Sequence, residues 1–302
     1  MRNLLITCIG YLKRPFSFYD IDDEVLAKGL QARGHDVSLC DWNDITPTLR
    51  ATRRYDTSGK ELLSLPLARA DALLFLEAPF RGSTSASQES VYALLRTIAQ
   101  EGIPSVNPVS SFFEHPDKRY CLLLQGKLPL PKTFLATEPL EEKLAVLGDK
   151  IILKPIDGGG GYGVELLDND LAKVRAKLSG EQLLQEFILE ITQGERSLFF
   201  FDKQFTYAII KRPRPGEYKT NEVHCERIEE YLPTSREIAI GEKAVRAMAT
   251  TAQVQRVDMT PTTIMEITQD CPGTYTTYIC EQTRQRLIDE FEKLLRRACE
   301  ER

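Results

Sequence analysis

The sequence predicts a chain in two parts, a small doubly wound α/β unit followed by an α+β region. Three observations carry that expectation. From the N-terminus to residue 112, short apolar runs alternate with segments of helical spacing. From Phe113 onward the alternation stops, and two strands joined by a tight turn appear at Arg196 to Asp202 and Phe205 to Ile210. Between these regions lies IILKPIDGGGGYGV, Ile151 to Val164, where an apolar strand ends on a lysine and runs into four glycines.

Composition narrows the function classes. A length of 302 residues fits two or three domains, and a hydrophobic fraction of 42% supplies a sizeable core. The 39 basic and 44 acidic side chains give a net charge of −5. That argues against nucleic acid as a partner, yet a small anion needs only a few local cations. No apolar run approaches the ~18 residues of a transmembrane helix, and MRNLLITCIG is too short for a secretory signal. A cytoplasmic protein without membrane association is therefore expected. The seven cysteines are scattered without a C-x-x-C pair and only three histidines exist, so reduced thiols are expected rather than structural zinc.

Taken in order, Leu4 to Ile9 predicts the first strand. Asp22 to Ala32 has helical spacing, with Val25, Leu26, Gly29 and Leu30 on one side and Gly34 as its stop. Val37 to Cys40 and Ala72 to Leu76 predict the next strands, the latter apolar throughout, as in a sheet covered on both faces. Gln88 to Glu101 predicts a helix ended by Gly102, and Ile103 to Pro108 a short last strand. Ligands of such sheets meet the carboxyl ends of the strands, which singles out the loops Tyr11 to Asp20 and Ala78 to Ser87. Beyond Phe113, HPDKRYCLLLQG predicts a helix, LPLPKTFLA a strand and Pro139 to Leu147 a short helix. Leu171 to Leu178 predicts a helix, and Gln182 to Ile188 a strand. The hairpin that follows turns at Asp202, Lys203 and Gln204. Over Glu281 to Arg297, Leu287, Phe291, Leu294 and Leu295 form one helical stripe, expected to pack on its own domain. The expected divisions are 1–112, 113–180 and 181–302.

Two stretches carry chemistry. Glycines without side chains, Gly158 to Gly161, let backbone N–H groups crowd an anion, and Lys154 stands at the strand end beside them. A polyphosphate suits that pairing, although a glycine run reads equally well as a surface turn. No Gly-Lys-Ser/Thr closes the loop, so it is not a Walker loop. The second stretch is QRVDMTPTTIMEIT, Gln255 to Thr268. A hairpin centred near Thr262 sets Asp258 opposite Glu266 and Arg256 opposite Thr268 on one face. Val257, Met259, Met265 and Ile267 fall on the other, as a core face. Two facing carboxylates repel unless a cation lies between them, and Mg²⁺ takes carboxylate, phosphate and water oxygens. A solvated face with an Arg–Asp pair is the alternative. Lys118 and Lys211, each readable as a surface charge, would complete a ring of cations with Lys154 and Arg256.

Lys118, the LKP glycine loop, LLQEFI, the strand pair ending in Lys211, and then RVD and ME follow one another in an order that resembles the ATP-grasp superfamily. The resemblance is to glutathione synthetase-like and cycloserine synthetase-like carboxylate–amine ligases, and it covers roughly residues 113 to 280. It implies an ATP-grasp fold preceded by a small α/β domain, and an ATP-dependent ligase that forms an amide through an acyl phosphate. It implies that Lys118, Lys154 and the loop Gly158, Gly159, Gly160, Gly161, Tyr162 and Gly163 hold the ATP phosphates. Gln185, Glu186, Phe187 and Ile188 would line the adenine hinge, and Glu190 would hold the ribose. Lys211 and Arg256 would act on the transferred phosphoryl group. Asp258, Glu266 and Thr268 would face Mg²⁺, with Mn²⁺ as a substitute. Arg212, Lys219 and Asn221 would touch substrate. The partners implied are small-molecule or peptide carboxylates and amines, and a homo-oligomer is compatible with the family.

Two departures from the family pattern stand out. Thr268 occupies the place of an Asn or Glu metal ligand, and GEYKTNEVHCER has Lys219 for an arginine and Cys225-Glu226 for a glycine pair. They leave a second reading, a nucleotide-binding module of weakened or lost ligase activity that acts by interaction. Asp270 lies near the metal residues with no direction fixed by the sequence. A dinucleotide enzyme is disfavoured, because no G-x-G-x-x-G follows the first strand.

Overall fold

The computed structural model describes residues 2–13, 17–18, 21–76, 85–115, 117–269 and 271–301. Most of the two candidate substrate loops of the first domain, and Asp270, lie outside the described residues.

The first sheet has four parallel strands in the order Ser105–Val106, Ala72–Phe75, Leu5–Gly10 and Asp36–Asp41. Alternation along Leu5–Gly10 sends Ile6 and Cys8 to one core and Ile9 to another. The helix Ile21–Ala32 covers the first face through Leu26, Ala27 and Leu30. The helix Ser85–Gln100 covers the second through Leu94, Leu95 and Ile98. The sheet is therefore doubly wound, as the apolar strand runs predict. Short antiparallel pieces, Arg54–Tyr55 and Glu61–Leu62, extend its edge. They carry no apolar run and have no signal in the sequence.

The second sheet is antiparallel, in the order Thr133–Leu135, Gln182–Glu186, Lys150–Pro155 and Glu165–Asp168. Ile151, Leu153 and Leu184 face Leu140, Leu144 and Val174 of the two short helices that cover it. The period of two then turns Ile152, Lys154 and Gln185 to the opposite face, toward the main cavity. The third sheet runs Cys225–Glu230, Gln204–Pro213, Glu195–Phe201, Val254–Met259 and Ile264–Thr268, all antiparallel. Asp202 and Lys203, with φ of 49° and 64°, form the tight turn of its central hairpin. Leu198, Phe200, Val257 and Met259 pack under the helix Ser235–Ala247. That helix, which is not among the expected elements, starts on a Thr234–Glu237 capping box.

Two expectations need correction and a third is extended. The helix expected over HPDKRYCLLLQG is confined to Tyr120–Leu124 among the described residues, because Asp117 accepts from the Arg119 N–H at 2.8 Å and makes a turn there. The hairpin register holds for Arg256↔Thr268, Val257↔Ile267 and Asp258↔Glu266, but a bulge pairs Met259 with Ile264. Ile264 therefore fills the core position expected for Met265, and Met265 lines the cavity. The C-terminal helix Glu281–Glu300 packs on its own domain as expected, against Phe201 and Ile209, but not on that domain alone. Leu287, Ile288, Phe291, Leu294 and Leu295 join a core with Leu30, Leu74 and Val106 of the first sheet.

Candidate active site

A cavity of about 770 Å³ opens between the second and third sheets, a size suited to a nucleotide. On the second-sheet wall Lys154 is buried, and its ammonium donates to Gln185 Oε1 at 2.8 Å. Gln185 Nε2 in turn donates to Thr133 Oγ1 at 2.8 Å, which fixes the amide orientation. Burial pulls the Lys154 pKa down, since a charged ammonium loses solvation there. An arriving anion would restore what burial removes. Lys118 donates to the Gly158 carbonyl and stands 3.6 Å from Glu266, so it bridges the glycine loop and the third sheet.

On the third-sheet floor four charged side chains interlock. Asp258 is chelated by Arg256, with Nε 3.0 Å from Oδ2 and Nη2 2.9 Å from the same oxygen. Its other oxygen accepts from the Ser197 hydroxyl and from Lys211 at 3.4 Å. Lys211 sits 2.6 Å from Glu195 Oε2, which also accepts from Thr220 Oγ1 at 2.7 Å. All four are buried, so the Arg–Asp pair expected as the solvated alternative is instead an internal one. Burial raises the pKa of Asp258, but Arg256 and Lys211 outweigh it and hold the carboxyl at about 2. Burial likewise opposes charge on Lys211, and Asp258 and Glu195 overcome it, pushing its pKa up. Burial also dominates at Glu195, whose pKa is raised despite Lys211. Two cations and two anions leave this floor without net charge, so an arriving phosphate competes with Asp258 and Glu195 for Arg256 and Lys211.

Glu195 was missed in the sequence. It stands at the first position of the strand Glu195–Phe201, directly opposite Lys211 in the hairpin, but a bulge between Phe199 and Phe200 shifts the register by which the turn would have placed it there. The residues around Glu266 were legible. Glu266 lies opposite Asp258 and Thr268 opposite Arg256, with Arg256 Nη2 3.4 Å from the Thr268 hydroxyl. The strand bearing them is pinned by the Tyr120 hydroxyl, which accepts from Ile267 N–H at 2.8 Å. Among the described residues no three His, Cys, Asp or Glu side chains form a metal cluster. Mg²⁺ bound with a triphosphate needs only one or two carboxylates, so Asp258 and Glu266 fit one such ion, with phosphate and water supplying the rest.

The glycine loop is fastened from the 218–221 segment. Lys219 Nζ donates to the Gly161 carbonyl at 3.2 Å, and the Tyr218 hydroxyl accepts from Leu166 N–H at 3.1 Å. A Cβ at Gly161, where φ is 71°, would come within 2.2 Å of Asn221 Oδ1. Only glycine permits that approach. Lys219 and Asn221, expected at the substrate, thus touch the loop in this structure.

The cavity is lined by Lys118, Lys154, Gly158, Gly159, Gly160, Gly161, Tyr162, Gln185, Phe187, Lys211, Lys219, Asn221, Arg256, Asp258, Glu266 and Thr268. Gly163, Glu186, Ile188 and Glu190 flank it without lining it. Arg212 is a correction. Strand alternation turns it away from Lys211 to the exposed side, where it donates to the Gln193 carbonyl at 3.2 Å and faces Glu229.

A fold of this kind, with a nucleotide-sized cavity between two antiparallel sheets and a covering glycine loop, defines an ATP-grasp architecture. A family model described as "Prokaryotic glutathione synthetase, ATP-grasp domain" matches residues 127–277, half of the chain. The chain belongs to this family of the ATP-grasp superfamily. It is 26% identical over 203 residues to a glutathione synthetase of Prochlorococcus marinus, covering 64% of this chain and 61% of the relative. It is 28% identical over 167 residues to a glutathione synthetase of Nitrosomonas europaea, covering 52% and 50%. The matched stretch thus spans between half and about three fifths of these relatives' length. Among solved structures it resembles the D-cycloserine synthetase DcsG, at TM-score 0.74 and 18% identity over 96% of this chain and 99% of that one. It also resembles D-alanine–D-alanine ligase from Bacillus anthracis complexed with ATP, at TM-score 0.68 and 14% identity over 100% and 99%. The ATP-grasp ligase PsnB, complexed with a precursor variant, Mg and ADP, superposes at TM-score 0.65 and 16% identity over 97% and 100%. At these identities the structures share the fold.

Proposed function

We propose that this chain is an ATP-dependent carboxylate–amine ligase that forms an amide or peptide-like bond and releases ADP and phosphate. One observation carries the reading. Lys118, Lys154, Lys211 and Arg256 converge with Asp258 and Glu266 on a single cavity that the glycine loop borders. Phosphoryl transfer asks a protein for positioning and charge neutralisation rather than covalent participation. In this reading a carboxylate oxygen attacks the γ-phosphorus, the bond to the β–γ bridging oxygen breaks, and ADP leaves. The amine then attacks the acyl carbon, phosphate departs with the C–O electron pair, and the amine proton passes to solvent.

Each residue has a role in that scheme. Lys118, Lys154 and Gly158 to Gly163 hold the phosphates. Gln185 and Phe187 line the adenine pocket, with Glu186 and Ile188 flanking it as the rest of the hinge and Glu190 beside the ribose. Lys211 and Arg256 hold the transferred phosphoryl group. Mg²⁺, held by Asp258 and Glu266, supplies charge neutralisation on the phosphates when bound. Lys219 and Asn221 hold the loop closed, which keeps water from the acyl phosphate. The first 112 residues form the substrate side, residues 113–180 the lid, and the remainder the nucleotide and metal side. Acceptors and donors are small molecules or peptides, the classes on which the relatives and neighbours act by name.

A second reading, nucleotide binding without ligation, is favoured by Thr268 and by the grip of Arg256, Lys211 and Ser197 on Asp258. The test is ADP release over a panel of amino acids and dipeptides, offered as carboxylate and as amine. The ligase reading predicts release that needs both partners and is lost in Asp258→Asn and Glu266→Gln proteins that still melt cooperatively. Full activity in both variants would remove the metal assignment. Nucleotide binding without substrate-dependent release would favour the second reading.

A further inference from the structure

Tyr275 follows the metal-side strand, and neither the motifs nor the roles above account for it. Its φ is 54°, a left-handed conformation that costs energy for any residue with a Cβ. Other parts of the chain hold it there. Asp22, in the first turn of the helix Ile21–Ala32, accepts from the Tyr275 N–H and from the Thr276 hydroxyl, both at 2.5 Å. The Tyr207 hydroxyl donates to the Thr274 carbonyl at 2.7 Å. The ring is seated edge-on against Phe199, with centroids 6.4 Å apart. So placed, it lies under two cations at once, with Lys211 Nζ 5.6 Å and the Arg256 guanidinium carbon 5.8 Å from its centroid.

These are the two cations assigned to the transferred phosphoryl group. Their anionic neighbours, Glu195 and Asp258, pull them toward the floor of the cavity. An aromatic face attracts a cation without offering an anionic oxygen to compete with phosphate. It can therefore fix both side chains while their N–H groups stay available.

We propose that Tyr275 is a positioning residue for γ-phosphate recognition. Its ring orients Lys211 and Arg256, and Asp22 ties that orientation to the first domain. The inference rests on the ATP-grasp ligase reading above. Titration calorimetry tests it, with Mg²⁺ plus either a non-hydrolysable ATP analogue or ADP, on the wild type, Tyr275→Phe, Tyr275→Leu and Asp22→Asn. Phe and Leu carry the same left-handed backbone cost as Tyr, so their difference reports the ring. The expected result is that Phe keeps the wild-type preference for triphosphate over diphosphate. Leu cuts that preference about tenfold while ADP affinity holds. Asp22→Asn, with the ring intact, reduces the preference in the same direction. An unchanged preference in the Leu variant overturns the inference alone. Equal loss of ADP and analogue affinity overturns it too, because the residue is then only structural. If the Leu variant does not melt cooperatively, an unchanged preference in Asp22→Asn is the overturning result. A wild type that binds neither nucleotide defeats the ligase reading and this inference with it.

Discussion

At Glu195 one carboxylate joins the cavity floor to the segment that fastens the glycine loop, because it accepts from both Lys211 and Thr220. Removing it would leave a buried ammonium short of one partner. Glu195→Ala should therefore lose about 3 kcal/mol of stability in urea denaturation, whereas Glu195→Gln, which can still accept from Thr220, should lose less. Equal losses would mean that Lys211 finds other compensation. The rest of the floor was legible from the sequence for a plain reason. A strand alternates faces, so Arg256, Asp258, Glu266 and Thr268 had to share one side once the turn was placed. The same rule misassigned Met265, because a bulge adds a residue that no period of two can reveal. Glu195 escaped for the same reason, because a bulge between Phe199 and Phe200 shifts the hairpin register that sets it opposite Lys211.

Elements were legible where a pattern repeats and obscure where packing decides. The parallel strands announce themselves as apolar runs. The helix Ser235–Ala247 was not anticipated, although Thr234 and Glu237 cap its start, and its seat on the third sheet depends on a missing side chain. A Cβ at Gly241 would lie 2.5 Å from Phe200 Cζ and 3.1 Å from Cε2. Phe200 is fully buried and its ring cannot fold aside. At Gly29 the nearest atom to a Cβ is Ile288 Cδ1 at 2.4 Å, the far end of a flexible side chain. Gly241→Ala should therefore cost about 2 kcal/mol in denaturant titration. Gly29→Ala should cost less, since the closest contact there is the terminal methyl of Ile288 rather than a ring and alanine favours helix. The reverse ranking would show that the helix, not the sheet, yields at Gly241.

The whole molecule is held together by a core that ignores the order of the chain. Leu287, Ile288, Phe291, Leu294 and Leu295 from the last helix meet Leu26 and Leu30 of the first helix, and Phe201 and Ile209 of the third sheet. Arg33 pairs with Asp289 and, at 3.3 Å, with Glu292 across the same contact. The helical stripe was readable in the sequence, but a stripe states that a face is buried and not what buries it. Phe291 packs edge-on against Phe201 with centroids 5.1 Å apart. Phe291→Ala should cost about 3 to 4 kcal/mol and lower a single unfolding transition. Two separate transitions would mean that the two ends of the chain fold independently.

This shared core also holds the first domain against the site, which makes the binding of a metal–triphosphate the central claim. The most direct measurement is a thermal shift with a non-hydrolysable ATP analogue, with and without Mg²⁺. A nucleotide present at 100 times its Kd adds about 2.7 kcal/mol, enough to move the midpoint by several degrees. Stabilisation that needs nucleotide and Mg²⁺ together, and that disappears in Asp258→Asn, is the predicted result. A midpoint that moves with neither, in a protein that a direct binding assay also finds empty of nucleotide, would contradict the account.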